Sequence, residues 1–283
     1  MSTRATTSTA AAGARAAAPW LVLLARVGYA AKGVVFIVIG ALAARLAIGR
    51  GGATTDQRGA LRVIGQGPAG TMALVVIGVG LLGYMAWRFV SAATDAEGKG
   101  NEPTSLALRA ASAARGLAYG LLGIQTLRAV AAGHAGPSGG GSGQTRHWTA
   151  RLMDLPFGRA LVVLAGLGVI GYAGYQLYRA ASRERVGKHL DLAEAGRDRA
   201  RWILRAGQFG IAARAVVFVV LGLFLLQAAR QHDSSAAGGL QASLSGLARA
   251  PFGHLVLGVV ALGLVAYGAY QLATARYRHM RAA

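Results

Sequence analysis

The chain has 283 residues, 54% of them hydrophobic and 14% charged, with 42 glycines and no cysteine. A soluble globular chain carries about 25% charged residues, so this composition reads as a polytopic helical membrane protein. The lack of cysteine excludes disulfides, Cys-ligated metal clusters and thiol catalysis. Its 30 Lys and Arg against 10 Asp and Glu flank the apolar blocks, which points to anionic lipid headgroups, not nucleic acid, as the partner.

The chain opens on a small, polar, weakly basic stretch, residues 1–18, read as a disordered tail and not as a cleaved signal peptide. Apolar blocks then follow at 20–48, 69–91, 112–132, 157–179, 209–229 and 252–274. Each reaches the about 20 residues that an α-helix needs to cross the hydrocarbon core, and none alternates as barrel strands do. The fold class expected is all-α, with six transmembrane helices. The third block is the least apolar, because Gln125 and Thr126 interrupt it. Every proline lies at or outside a block end, and Pro68, Pro156 and Pro251 each open an even-numbered block, where a first helical turn tolerates proline. Residues 134–147, rich in Gly and Ser, are expected to form a flexible external loop. Residues 182–204 form a linker dense in both charge signs, read as a solvated helix or interfacial segment, with the docking of a cytoplasmic protein partner at 182–202 as the alternative.

The even-numbered blocks repeat. "PAGTMALVVIGVGLLGYMAW", "PFGRALVVLAGLGVIGYAGY" and "PFGHLVLGVVALGLVAYGAY" align without gaps from Pro68, Pro156 and Pro251. Gly80, Gly168 and Gly263 then coincide, as do Tyr84, Tyr172 and Tyr267, then Trp87, Tyr175 and Tyr270, and then Arg88, Gln176 and Gln271. The odd-numbered blocks align on "AAKGVVF", "AARGLAY" and "AARAVVF", which superimpose Lys32, Arg115 and Arg214, each followed by an aromatic four residues on and a glycine eight residues on. The pattern predicts three tandem two-helix repeats, 19–92, 108–181 and 205–278, in a pseudo-threefold arrangement.

These openings and the thrice-used P-x-G…G-x-x-x-Y helix resemble a bacterial membrane family, the domain-of-unknown-function family numbered 1206, built from two-helix units. The resemblance spans roughly residues 20–278, and its motifs are repeat signatures, not catalytic ones. The second repeat departs from the pattern, with "RAASAARG" where the first has "RVGYAAKG".

An even number of crossings puts all three repeats in one orientation. Of the 30 cations, 20 then fall on the side of the two termini, which predicts cytoplasmic termini in a bacterial inner membrane. All ten carboxylates lie outside the apolar cores, against carboxylate-coupled proton or sodium transport. No catalytic or phosphate-binding motif is present, so no catalytic residue, cofactor or metal is expected. Gly80, Gly168 and Gly263 are read as helix-packing positions. Tyr84, Tyr172, Tyr267, Trp87, Tyr175 and Tyr270 are read as interfacial aromatics near the cytoplasmic boundary. Lys32, Arg115 and Arg214, placed at the cytoplasmic starts of their helices, are the candidates for binding an anionic lipid or solute. They either snorkel to headgroups or ring a vestibule. The function expected is that of a structural or accessory membrane protein that binds lipid or a partner, with a transporter or channel for a small anionic solute as the alternative.

Overall fold

The computed structural model describes residues 18–50, 54–93, 102–139, 141–187, 190–192 and 195–278. The expected tail lies almost wholly outside these residues, as do four positions of the charged linker. The described residues form α1 (Ala18–Ala47), α2 (Gln57–Gly65), α3 (Gly70–Ala93), α4 (Pro103–Ala131), α5 (Gly141–Met153), α6 (Gly158–Ala180), α7 (Arg183–Gly187), α8 (Arg197–Gln231), a 3-10 turn (Ser234–Ala236), α9 (Leu240–Arg249) and α10 (Gly253–Tyr277). Among them there is no strand, only one isolated bridge between Leu190 and Arg278.

Five helices, α1, α3, α6, α8 and α10, are long and apolar enough to cross a membrane. α4 has 29 residues but is less apolar, with Arg109, Arg115 and Arg128 along its length. Two long helices extend beyond the apolar blocks. α4 begins at Pro103, and α8 begins at Arg197, inside the expected linker. A helix follows the backbone hydrogen-bond ladder, which runs on through polar residues after the apolar run has ended.

Each pair of long helices is joined through a short one, which hydropathy does not reveal. α2 is capped at its start by Asp56, whose carboxylate accepts from the Gly59 N–H at 2.9 Å. α5 replaces part of the expected external loop, since the chain is helical from Gly141. After each short helix comes the P-x-G turn, and α3, α6 and α10 start at its glycine. Gly70, Gly158 and Gly253 are buried. A Cβ there would collide with a backbone carbonyl of the preceding short helix, that of Gly65, Leu152 or Ala248. The repeated glycine is therefore a close-approach position, where a reversing chain passes over the end of its own preceding helix. In two repeats the middle residue of the turn, Phe157 or Phe252, sits left-handed at φ 62° or 58° with its ring exposed.

The long helices pack in the order α4–α3–α1–α10–α8–α6. The first and third hairpins close on themselves: α3 packs on α1, and α10 on α8. The second hairpin does not. α4 joins α3 of the first repeat, α6 joins α8 of the third, and α4 and α6 face each other almost without helix contact. The small residues follow this difference. A Cβ on Gly80 would press on Val27 of α1 and one on Gly263 on Ala213 of α8, whereas one on Gly168 meets open space.

Candidate functional site: a buried cationic centre

The aromatic residues of the repeats meet in a cycle. Tyr84 stacks edge-on against Tyr119 (centroids 5.4 Å apart), Tyr172 against Phe218 (5.5 Å) and Tyr267 against Phe36 (4.9 Å). Each pair joins the tyrosine of one repeat to the aromatic of the next, and the third returns to the first. The i+4 spacing from each cation puts that aromatic on the same helix face, so the cations follow the rings inward.

Lys32 lies near the middle of α1, and Arg115 and Arg214 lie well inside α4 and α8, not at the helix starts expected from the apolar blocks. The blocks misplace them because the helices run further into polar sequence. Lys32 is 5% exposed and Arg214 9%, so neither snorkels outward. The Lys32 ammonium faces the rings of Tyr119 at 4.8 Å, Tyr84 at 5.2 Å and Tyr267 at 5.6 Å. Arg214 donates to the Tyr267 hydroxyl at 2.9 Å and lies over Phe218, and Arg115 donates to the Tyr172 hydroxyl at 3.0 Å. Arg88 donates to the Tyr84 hydroxyl and to Ser112 Oγ, both at 3.0 Å, bridging α3 to α4.

The cations of this set line a cavity of ≈ 70 Å³. Its walls include Lys32, Arg88, Arg115, Arg179, Arg214 and Arg278, and also Gln176, Gln271, Tyr267, Tyr270 and Thr274; among the described residues no carboxylate lines it. Gln176, Gln271 and Arg88 occupy one repeat position, and all three are buried. Tyr29 also lines the cavity; it is 1% exposed, and its hydroxyl has no hydrogen-bond partner among the described residues. A space of this size has room for a few waters or a small anionic group. Holding an ammonium inside a membrane costs several kcal/mol on most scales. Ring faces offset part of this, at about 0.5–2 kcal/mol each. They do nothing for the repulsion among the cations, which an anion would relieve.

Of the remaining candidates, Tyr84 and Tyr267 are buried against the cations, and Tyr172 is half-buried beside Arg115. Trp87 and Tyr270 are buried in the interior, and Tyr270 donates to the Val186 carbonyl at 2.8 Å; Tyr175 is exposed. Sequence reasoning placed Arg88, Gln176 and Gln271 in register but gave them no role. Their signal was polarity at one repeat position within apolar helices. Tyr29, Arg179, Thr274 and Arg278 carried no such signal. Among the described residues no cluster of His, Asp and Glu is placed to hold a metal.

Long apolar helices around a buried polar centre define an all-α protein of membrane type. The chain belongs to the family described as Domain of Unknown Function (DUF1206), whose model matches it three times, at residues 27–95, 110–183 and 209–278. It is 36% identical over 262 residues to the "Uncharacterized protein YxxB" of Bacillus subtilis (strain 168), with 93% of each chain covered. No solved structure matches the chain.

Proposed function

We propose that this is a six-span bacterial inner-membrane protein in which three two-helix repeats surround a pseudo-threefold axis, and that the cationic centre on that axis binds an anionic group. The cavity carries this reading: Lys32, Arg115 and Arg214, with three further arginines, converge on one small space, and among the described residues that line it there is no carboxylate. The cyclic aromatic pairs support the threefold arrangement, and the excess of cations on the terminal side supports cytoplasmic termini. The role is accessory or ligand-binding, not catalytic. A cytoplasmic partner would meet the charged 182–202 segment, where Arg197 and Arg199 are exposed. The test is inorganic phosphate and sulfate binding to the purified protein, with Lys32→Gln, Arg115→Gln and Arg214→Gln singly and together. The triple variant should lose at least tenfold in affinity; unchanged affinity in a folded triple variant would defeat the proposal.

One observation favours transport of a small anionic solute as a second reading. A cleft of ≈ 570 Å³ joins Arg115 and Arg214 to Asp56, Arg58, Gln144 and Trp148 on the short helices. Uptake of labelled anions into proteoliposomes, lost in the same triple variant, would distinguish transport from binding alone.

A further inference from the structure

Resting on the anion-binding reading, we infer that the anionic group is the headgroup phosphate of an anionic phospholipid, which reaches the centre sideways between α4 and α6 with its acyl chains lying in the cleft. The cavity and the cleft share Arg115 and Arg214, so they adjoin at these two side chains. The cavity admits a headgroup phosphate but no chain. The cleft, at ≈ 570 Å³, lies within the about 300–1,000 Å³ of ligand pockets, and Leu117, Ala118, Leu121 and Leu122 give it an apolar wall on α4.

Comparison across the repeats shows that this wall is missing a neighbour. Val35 of α1 and Val217 of α8 are each 2% exposed, whereas Ala118, at the same repeat position, is exposed. Gly80 and Gly263 are buried against their partner helices, whereas Gly168 is exposed on open space. The faces that close two hairpins are present in the second and unpartnered. The charge at one end and the apolar wall at the other are complementary to an anionic amphiphile, not to a free ion. The depth of the cations agrees: a group held mid-helix must be drawn down from the interface, and the other five seams between long helices are packed shut.

The experiment uses full-length protein in detergent, titrated separately with phosphatidylglycerol and inorganic phosphate and read by native mass spectrometry and calorimetry. Phosphatidylcholine is the neutral comparator. Ala118→Trp fills the cleft outside the cavity, and Gly168→Trp fills the open space on the unpartnered face of α6. The expected result is phosphatidylglycerol binding preferred over phosphatidylcholine and weakened at least tenfold by either tryptophan, with phosphate affinity unchanged within twofold. Phosphatidylglycerol binding as in wild type in both tryptophan variants, or no preference over phosphatidylcholine, overturns the lateral lipid site while leaving the anion site standing. Phosphate binding that survives Arg214→Gln and Arg115→Gln defeats the anion site itself. Arg115 is half-buried, so its variant keeps that arm readable if the buried arginine proves essential for folding.

Discussion

Arg214 and Tyr267 make the same bond as Arg115 and Tyr172: a guanidinium on the first long helix of a repeat donates to the tyrosine of the second, at 2.9 and 3.0 Å. The two bonds differ in surroundings, because Arg214 is buried and Arg115 is half-buried beside the open cleft. Tyr267→Phe leaves a buried cationic donor unmet and is expected to cost about 1–3 kcal/mol. Tyr172→Phe is expected to cost clearly less, since Arg115 can turn to solvent or headgroups. Chemical unfolding of both variants in detergent checks this, and equal losses would contradict the difference in burial.

The glycines give a second comparison. Gly80→Leu and Gly263→Leu push a side chain into Val27 and Ala213 and are expected to destabilise by about 1–3 kcal/mol. Gly168→Leu enters open space and should stay within about 0.5 kcal/mol of wild type. Gly158→Ala, despite its smaller side chain, should be worse than Gly168→Leu, because its Cβ meets the Leu152 carbonyl. Thermal unfolding of the four variants in one detergent would establish the order.

Topology is checked by reporter fusions. Asp56, Arg58, Gln144 and Trp148 line one cleft, so the segments around α2 and α5 lie on one side. Fusions at positions 55, 140 and 235 are expected to report the external side, and those at 100 and 192 the cytoplasm. A fusion at 100 on the side opposite one at 192 would mean that α4 and α6 do not both cross.

The 3-10 turn after α8 gives a pH test outside the apolar spans. The Asp233 carboxylate accepts from the Ser235 hydroxyl at 2.6 Å and its N–H at 2.8 Å, and these bonds hold its pKa below the usual carboxylate value. A depressed folded pKa gives stability that is present above the unfolded value, about 3.9, and lost as pH falls through the folded one. Hydrogen exchange of the Ser235 amide should accelerate relative to Asp233→Asn only on acidification below about pH 4. A turn whose protection is the same at pH 3 and pH 6 would rule out the cap.

The repeat was legible because it is written twice over, in glycine spacing and in the cation–aromatic pair, and the family matches fall on all three copies. The helices were legible as apolar blocks, but their ends were not, since α8 runs through Asp198 and Arg201 before any apolar residue dominates. Lys32 read as a boundary cation because hydropathy measures a window, whereas its burial depends on Tyr119 and Tyr267, which lie in other repeats. The splayed second hairpin left no mark at all. Gly168 and Gly171 match the packed glycines of the first repeat, and only the tertiary arrangement leaves them without a neighbour.

The seam that faces the cleft from across the bundle is the one between α1 and α10, and it is the most extensive of all. A Cβ on Gly33 would press on the Gly268 carbonyl and one on Gly40 on the Ala261 carbonyl, so backbone lies against backbone there. The molecule is thus a clamshell whose jaws are α1, α3 and α4 on one side and α6, α8 and α10 on the other. Its back is the α1–α10 seam, which joins the two ends of the chain, and its mouth lies at the middle of the sequence. Only the segment from Ala132 to Phe157 ties the jaws covalently. Gly33, Gly40, Ala261 and Gly268 thus hold the two halves together at the back, while Arg115 and Arg214 stand on opposite halves at the mouth.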